Sequence, residues 1–378
     1  MDAWTCHCAA ANGRLDCLAY VHDSGVPWDS VSCEWAAQNG HLDCLAYARE
    51  NGCPWDPQTC AEAARNGHLD CLKYAHEHGC EWDFVTCVLA AQGGHLDCLK
   101  YAHEHGCEWR MPLACTSAAR RGHLDILSYT HQNGCPWDAW TCAHAAENGH
   151  LHCLAYAHEN GCPWDSVSCQ WAAQNGHLAC LKYAHEHGCP WDPETCAEAA
   201  RNGHLDCLKY ARENGCEWRS TSACALAAVR GHLDILAYAH QNEYPWGVWT
   251  CAYAADNGHL HCLAYAHENG CPWDSTICYR AEQGGHMDCM AYAYERGCPF
   301  PEAPEAQGSF RARAREYLAV RERSASRVSR ACRNWIARRR ADVALVLAGR
   351  WGRAAPRPPA AGGREGAGLR ENRIKVDR

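Results

Sequence analysis

The chain has 378 residues, among them thirty-one cysteines and twenty-five histidines. Such side chains could hold zinc, form disulfides or move protons. Their spacing decides among these chemistries. Eleven cysteines fall in one register, from Cys6, Cys33 and Cys60 to Cys278. Nine occupy a second register from Cys17 to Cys289, where Ile126 and Ile235 fill the gaps. Nine occupy a third from Cys53 to Cys298, where Val26 and Tyr244 fill the gaps. Ile, Val and Tyr cannot stand in for a metal ligand or a disulfide partner, but they can stand in for a buried hydrophobe. No Cys-x-x-Cys pair supports a zinc site, although Cys6 and Cys8 are close in sequence. The cysteines therefore read as core side chains, with no metal and no cofactor.

The histidines divide in the same way. Ten of them, including His41, His68 and His95, follow the glycine of a recurring Gly-His, and Arg14 takes that place once. A metal ligand would not tolerate arginine, whereas a side chain bonding to a neighbouring turn would. A second set (His76, His103, His131) varies to Arg49, Arg212 and Tyr294 and reads as surface. Tyr74 and Trp82 recur at fixed places, which suits packing between units better than a ligand cage. The chain has no P-loop, no Gly-x-Gly-x-x-Gly after a strand and no Gly-x-Ser-x-Gly. An enzyme needs one asymmetric, pre-organised site. Here every nominee belongs to a repeated slot, so no catalytic residue is expected.

These side chains are positioned by a repeat. The glycine of Asn-Gly-His-Leu-Asp-Cys-Leu recurs from Gly13 to Gly285, mostly at steps of 27, with a higher-order period of 109. In one unit Asp56 is a helix N-cap, and a helix is expected over 57–65. Cys60, Ala63 and Ala64 form its narrow apolar face. Asn66-Gly67 stops it, and a second helix is expected over 68–77. Leu69, Cys71, Leu72, Tyr74 and Ala75 are its apolar side, with Asp70, Lys73 and Glu77 as a solvated stripe. Such a unit has too little surface to fold alone, and stacking would bury a continuous core. About eleven units are expected, in an all-α solenoid.

Ala63-Ala64-Arg65-Asn66-Gly67-His68-Leu69-Asp70, with Gly79 twelve residues after Gly67, resembles the ankyrin repeat. The resemblance covers roughly residues 4 to 300 and implies an ankyrin-like α-solenoid that binds protein partners. The unit departs from the family's 33 residues. It is about six residues shorter, which trims the projecting β-turn fingers and the binding modes that use them. Short units with Cys-Pro-Trp-Asp are similar to ankyrin arrays of giant DNA viruses of amoebae.

Charge sets the domain limits. Residues 1–300 hold 16 basic and 36 acidic side chains, whereas residues 301–378 hold 19 basic and eight acidic ones. A sign change of that size marks a boundary. The expected organisation is a repeat array over 1–300, a linker over 301–309, a basic amphipathic helical segment over 310–349 and a disordered tail over 350–378. In the basic segment Phe310, Ala314, Tyr317 and Leu318 share helical spacing, as do Val328, Cys332, Trp335 and Ile336. Its candidates for nucleic acid, an acidic surface or a calmodulin-like partner are Arg330, Arg333, Trp335, Arg338, Arg339 and Arg340. Capping of the last repeat is the alternative. The N-terminus lacks a basic start and an apolar stretch of signal-peptide length, and no segment is apolar enough to span a membrane. Abundant unpaired thiols then imply a reducing compartment, cytoplasm or nucleus, including those of an infected host cell.

Recognition should be written where units differ. In the first helix the variable positions lie two residues after the cysteine and just before the glycine, and the first of these slots is read along the chain. Its partner-binding candidates are Trp35, Glu62, Leu89, His144, Trp171, Glu198, Leu226, Tyr253 and Arg280. Trp35, Trp171 and Tyr253 read equally as interface anchors or as packing on neighbouring helices. The expected function is a non-enzymatic protein-binding scaffold. The alternative is a nucleic-acid-associated protein that uses the Arg-rich segment.

Overall fold

Asp56 has extended backbone and accepts a hydrogen bond from the Gln58 amide at 3.1 Å. This side-chain cap starts the helix Pro57–Arg65. Pro57 at its first position has no amide to leave unpaired. The helix closes with two crossed bonds, His68 N–H to Ala63 O at 2.9 Å and Gly67 N–H to Ala64 O at 3.4 Å. That closure needs a left-handed residue, and Gly67 supplies it with φ of +78°. The second helix, Leu69–Glu77, ends in the same fashion, with Gly79 at φ of +82°.

In a computed structural model this pattern runs from Ala3–Ala11 to Met287–Glu295. The residues described are 3–109, 111–218, 223–299 and 312–323. Among them are twenty-two helices in consecutive pairs, one further helix at 312–323 and no strand. The chain divides into two units, Met1–Arg311 and Ala312–Arg378. The linker 301–309, the basic residues Arg330, Arg333, Trp335, Arg338, Arg339 and Arg340, and the tail 350–378 lie outside the described residues. Among the described residues no helix is long and apolar enough to cross a membrane.

Within the first unit each first helix packs on its own second helix and, in most cases more extensively, on the next first helix. Small side chains make that approach possible: Cys60, Ala63 and Ala64 are fully buried. Second helices contribute Leu72, Ala75 and their equivalents, also buried. Each pair touches mainly its neighbours, the connectivity of a solenoid.

The Gly-His step joins one pair to the next. The ring of His95 lies where a Cβ on Gly67 would stand, 2.3 Å from that ideal position. The same relation holds from Gly13 with His41 to Gly258 with His286. His41 Nε2 lies 3.1 Å from the carbonyl of Ala11, and His259 Nε2 lies 3.1 Å from that of Val229. A carbonyl only accepts, so Nε2 carries the proton. The histidine thus bonds a neighbouring turn, and its carbonyl is an otherwise orphaned end of the preceding first helix. Burial pushes the His95, His150 and His204 pKa values below the ordinary range, and neighbouring histidines of the same column push further that way.

Gly67 and Gly79 share a left-handed backbone but differ in surroundings, since a Cβ on Gly79 meets nothing within 4 Å. Gly79→Ala is expected to cost about 1–2 kcal/mol of backbone strain. Gly67→Ala should add roughly 1–3 kcal/mol for displacing the His95 ring. Urea-unfolding midpoints of the two variants would read the difference, and equal midpoints would refute the stacking role.

Histidines with lowered folded pKa bind fewer protons folded than unfolded. Their contribution is therefore complete above the unfolded value, about 6.5, and is lost as pH falls toward the folded values. Thermal melts followed by circular dichroism should show a falling midpoint as pH drops below about 6.5. A midpoint flat across that window would contradict the column's neutral state.

Candidate interaction surface

The three cysteine registers occupy three places in the core. Cys60 lies between first helices, Cys71 inside the second helix, and Cys80 in the loop, all buried. The Cys80 thiol donates to the carbonyl of Asp56 at 3.2 Å, tying the loop to the start of the first helix. Cys53, Cys107, Cys162, Cys189, Cys216 and Cys271 repeat the bond to their own N-cap residue, and Cys298 makes it to Asp274. A hydrogen bond with the Cys80 thiol, and burial, raise the Cys60 pKa. Burial pushes Cys71 up to about 12 and Cys153 up to about 11. Thiols held protonated in this way are poor nucleophiles and poor metal ligands. Among the described residues no group of three or more His, Cys, Asp or Glu could hold a metal ion.

The second histidine set is half-buried and packs against its neighbours rather than standing free on the surface. His76 stacks on Trp82 with centroids 3.9 Å apart and planes 6° apart. Its Nδ1 lies 3.2 Å from the hydroxyl of Tyr101 in the next pair. His185 with Trp191 and Tyr210, and His267 with Trp273 and Tyr292, repeat the arrangement. Arg49 replaces the histidine by stacking on Trp55 at 4.2 Å, as a planar guanidinium can. Lys73, read as part of a solvated stripe, extends over the Tyr101 ring at 5.7 Å. Trp and Tyr recur because they hold adjacent second helices together.

The variable first-helix slot separates into three situations. Glu62 and Glu198 are buried, 5% and 8% exposed, and are turned toward their own helix. Glu62 accepts from Gln58 Nε2 at 3.0 Å and pairs with Arg65 at 3.5 Å. Glu198 pairs with Arg201 and accepts from Asn202 Nδ2 at 3.2 Å. Neither carboxylate is presented to a partner. Leu89 and Leu226 are half-buried.

The remaining members form aromatic clusters with the preceding pair. Trp35 is half-buried, edge-to-face on Trp4 at 5.3 Å and on His7 at 5.6 Å. Trp171 lies 5.4 Å from Trp140 and 5.2 Å from His144, whose Nδ1 is 2.7 Å from Glu147. Tyr253 lies 5.7 Å from Trp249, and Arg280 spans both rings at 5.2 and 5.7 Å. The largest exposed rings are thus Trp4, Trp140 and Trp249, at 61%, 52% and 52% exposure. They stand two residues before the cysteine, a slot that sequence reasoning passed over. The signal was available: Trp-Thr-Cys occurs at 4–6, 140–142 and 249–251, whereas other units carry Val31, Gln58 or Glu194 there. A cleft of about 430 Å³ beside the third cluster is lined by Pro245, Trp246, Gly247, Trp249 and Tyr253, among others.

No family model and no curated protein matches the chain.

Of the described cysteines only Cys17 is exposed, because no preceding second helix covers the first pair, and Cys8 is half-buried. Brief treatment of the native protein with a thiol-alkylating reagent should label Cys17 first, then Cys8, and leave buried ones such as Cys60 and Cys71 unmodified until denaturant is added. Peptide mapping by mass spectrometry reads the order. Rapid native labelling of Cys60 or Cys71 would refute the core assignment.

Proposed function

We propose that residues 1–300 are an ankyrin-like array of eleven short repeats that acts as a non-enzymatic protein-binding scaffold. The partner lies across the first-helix face. The observation that carries this reading is the exposure of Trp4, Trp140 and Trp249 on that face. Large aromatics outside the packing are favoured interface anchors, because they bury much area with little loss of side-chain freedom. Trp4 and Trp140 each meet a second ring held by the next first helix, and Trp249 meets Tyr253 of its own helix and Arg280 of the next, so each anchor is pre-organised. The short loops between helix pairs leave the first-helix face as the broad variable surface, and buried thiols and column histidines are committed to packing.

Affinity purification followed by mass spectrometry, on the wild-type chain and on a Trp4→Ala, Trp140→Ala, Trp249→Ala variant, tests the reading. The variant should lose the wild-type partner while keeping its helical circular dichroism and its melting midpoint within a few degrees. Retention of every wild-type partner by a folded variant would sink the assignment of the face.

A further inference from the structure

The third aromatic cluster differs from the other two in one respect. Arg280 occupies the slot that Trp171 holds 109 residues earlier. Its guanidinium lies over Trp249 and Tyr253 while Nη1 bonds Asp256 Oδ2 at 3.1 Å. The cluster therefore already contains an arginine between an aromatic platform and a carboxylate. Glu147 stands in the second cluster at the place of Asp256, again 109 residues earlier, and Trp140 is its exposed ring. The first cluster offers Trp4 as exposed ring, with Asp29 bonded to His7 at 2.8 Å.

From this we infer that the exposed rings of Trp4 and Trp140 bind arginine side chains of a basic protein segment, each guanidinium laid on the indole as Arg280 lies over Trp249. The inference rests on the scaffold reading and names the chemistry of its partner. Two observations favour a guanidinium over other occupants. A planar guanidinium stacks on an indole face and bonds a carboxylate at its edge, whereas an ammonium does the two less well together. The 1–300 stretch holds 36 acidic against 16 basic side chains, which attracts a basic segment and repels nucleic-acid phosphate.

Fluorescence anisotropy with the full chain and two labelled peptides tests this, one alternating arginine with serine and one alternating lysine with serine. Length, charge and salt are held equal. The arginine peptide should bind about fivefold or more tighter than the lysine peptide. Trp4→Ala with Trp140→Ala should reduce that preference to near unity. Arg280→Ala should move the opposite way and strengthen arginine-peptide binding, since it frees the third platform and Asp256. Equal affinities for the two peptides, or no measurable binding, overturn the inference. So does an unchanged preference in the folded double-tryptophan variant. Should that variant unfold, Arg280→Ala decides alone, and unchanged or weaker binding overturns it. A cellular partner that depends on the three tryptophans yet lacks a basic segment would leave the scaffold standing and remove only the arginine assignment.

Discussion

The close approach of one imidazole to one glycine is the contact on which the stack depends. The His ring of each pair takes the volume a Cβ would fill on the glycine of the pair before it. That glycine is also the left-handed residue that closes the preceding first helix. One position thus ends a helix and receives the next pair, so the local turn and the long-range stacking cannot vary independently. The bond from Nε2 to the carbonyl two residues before the glycine then satisfies a helix end that would otherwise face a buried orphan acceptor. Three separate demands are met by a Gly-His dipeptide, which explains its recurrence better than any ligand would.

Given that spacing, the rest of the core follows. First helices lie so near each other that alanine and cysteine fill the gap, and larger side chains move to the second helices as Leu72 and its equivalents. Cysteine adds a weak donor that alanine lacks, and the loop cysteines use it on the N-cap carbonyl. Where Val26 or Tyr244 replaces the loop cysteine, that bond is absent while burial or packing remains: Tyr244 sits on Trp218 at 4.4 Å. The thiol is a refinement of the packing, and its burial keeps it away from solvent.

Much of this was legible in the residues. The expected first helix over 57–65 matches Pro57–Arg65, and the second differs only in that His68 is its N-cap. Those limits are set by local chemistry, an Asp cap, a Pro at the first position and a Gly past the end, and local chemistry is what a sequence displays. The second histidine set was misread because a helical wheel knows nothing of the next pair: His76 looks outward from its own helix but meets Trp82 and Tyr101. Glu62 and Glu198 were misread for the converse reason. Variability marked their slot as free, yet a long carboxylate can bend back to Gln58, Arg65 or Asn202 and bury itself. Exposure depends on rotamer and on neighbours, and neither is encoded at the position itself.

Repetition makes departures from the pattern the informative residues. A slot filled alike in every unit answers to stacking, because stacking is the one demand that all units share. Trp4, Trp140 and Trp249 answer to something else, since Val31, Gln58 and Glu194 serve the fold equally well in the same place. The exchange of Trp171 for Arg280 goes further. It changes a ring-on-ring contact into a cation over two rings without disturbing the helices around it. A surface on which tryptophan and arginine are interchangeable partners of one tryptophan is a surface whose chemistry is set by the aromatic face. What such a face discriminates is the shape and charge of the group laid on it, which is the property a scaffold needs when every unit beneath it is nearly the same.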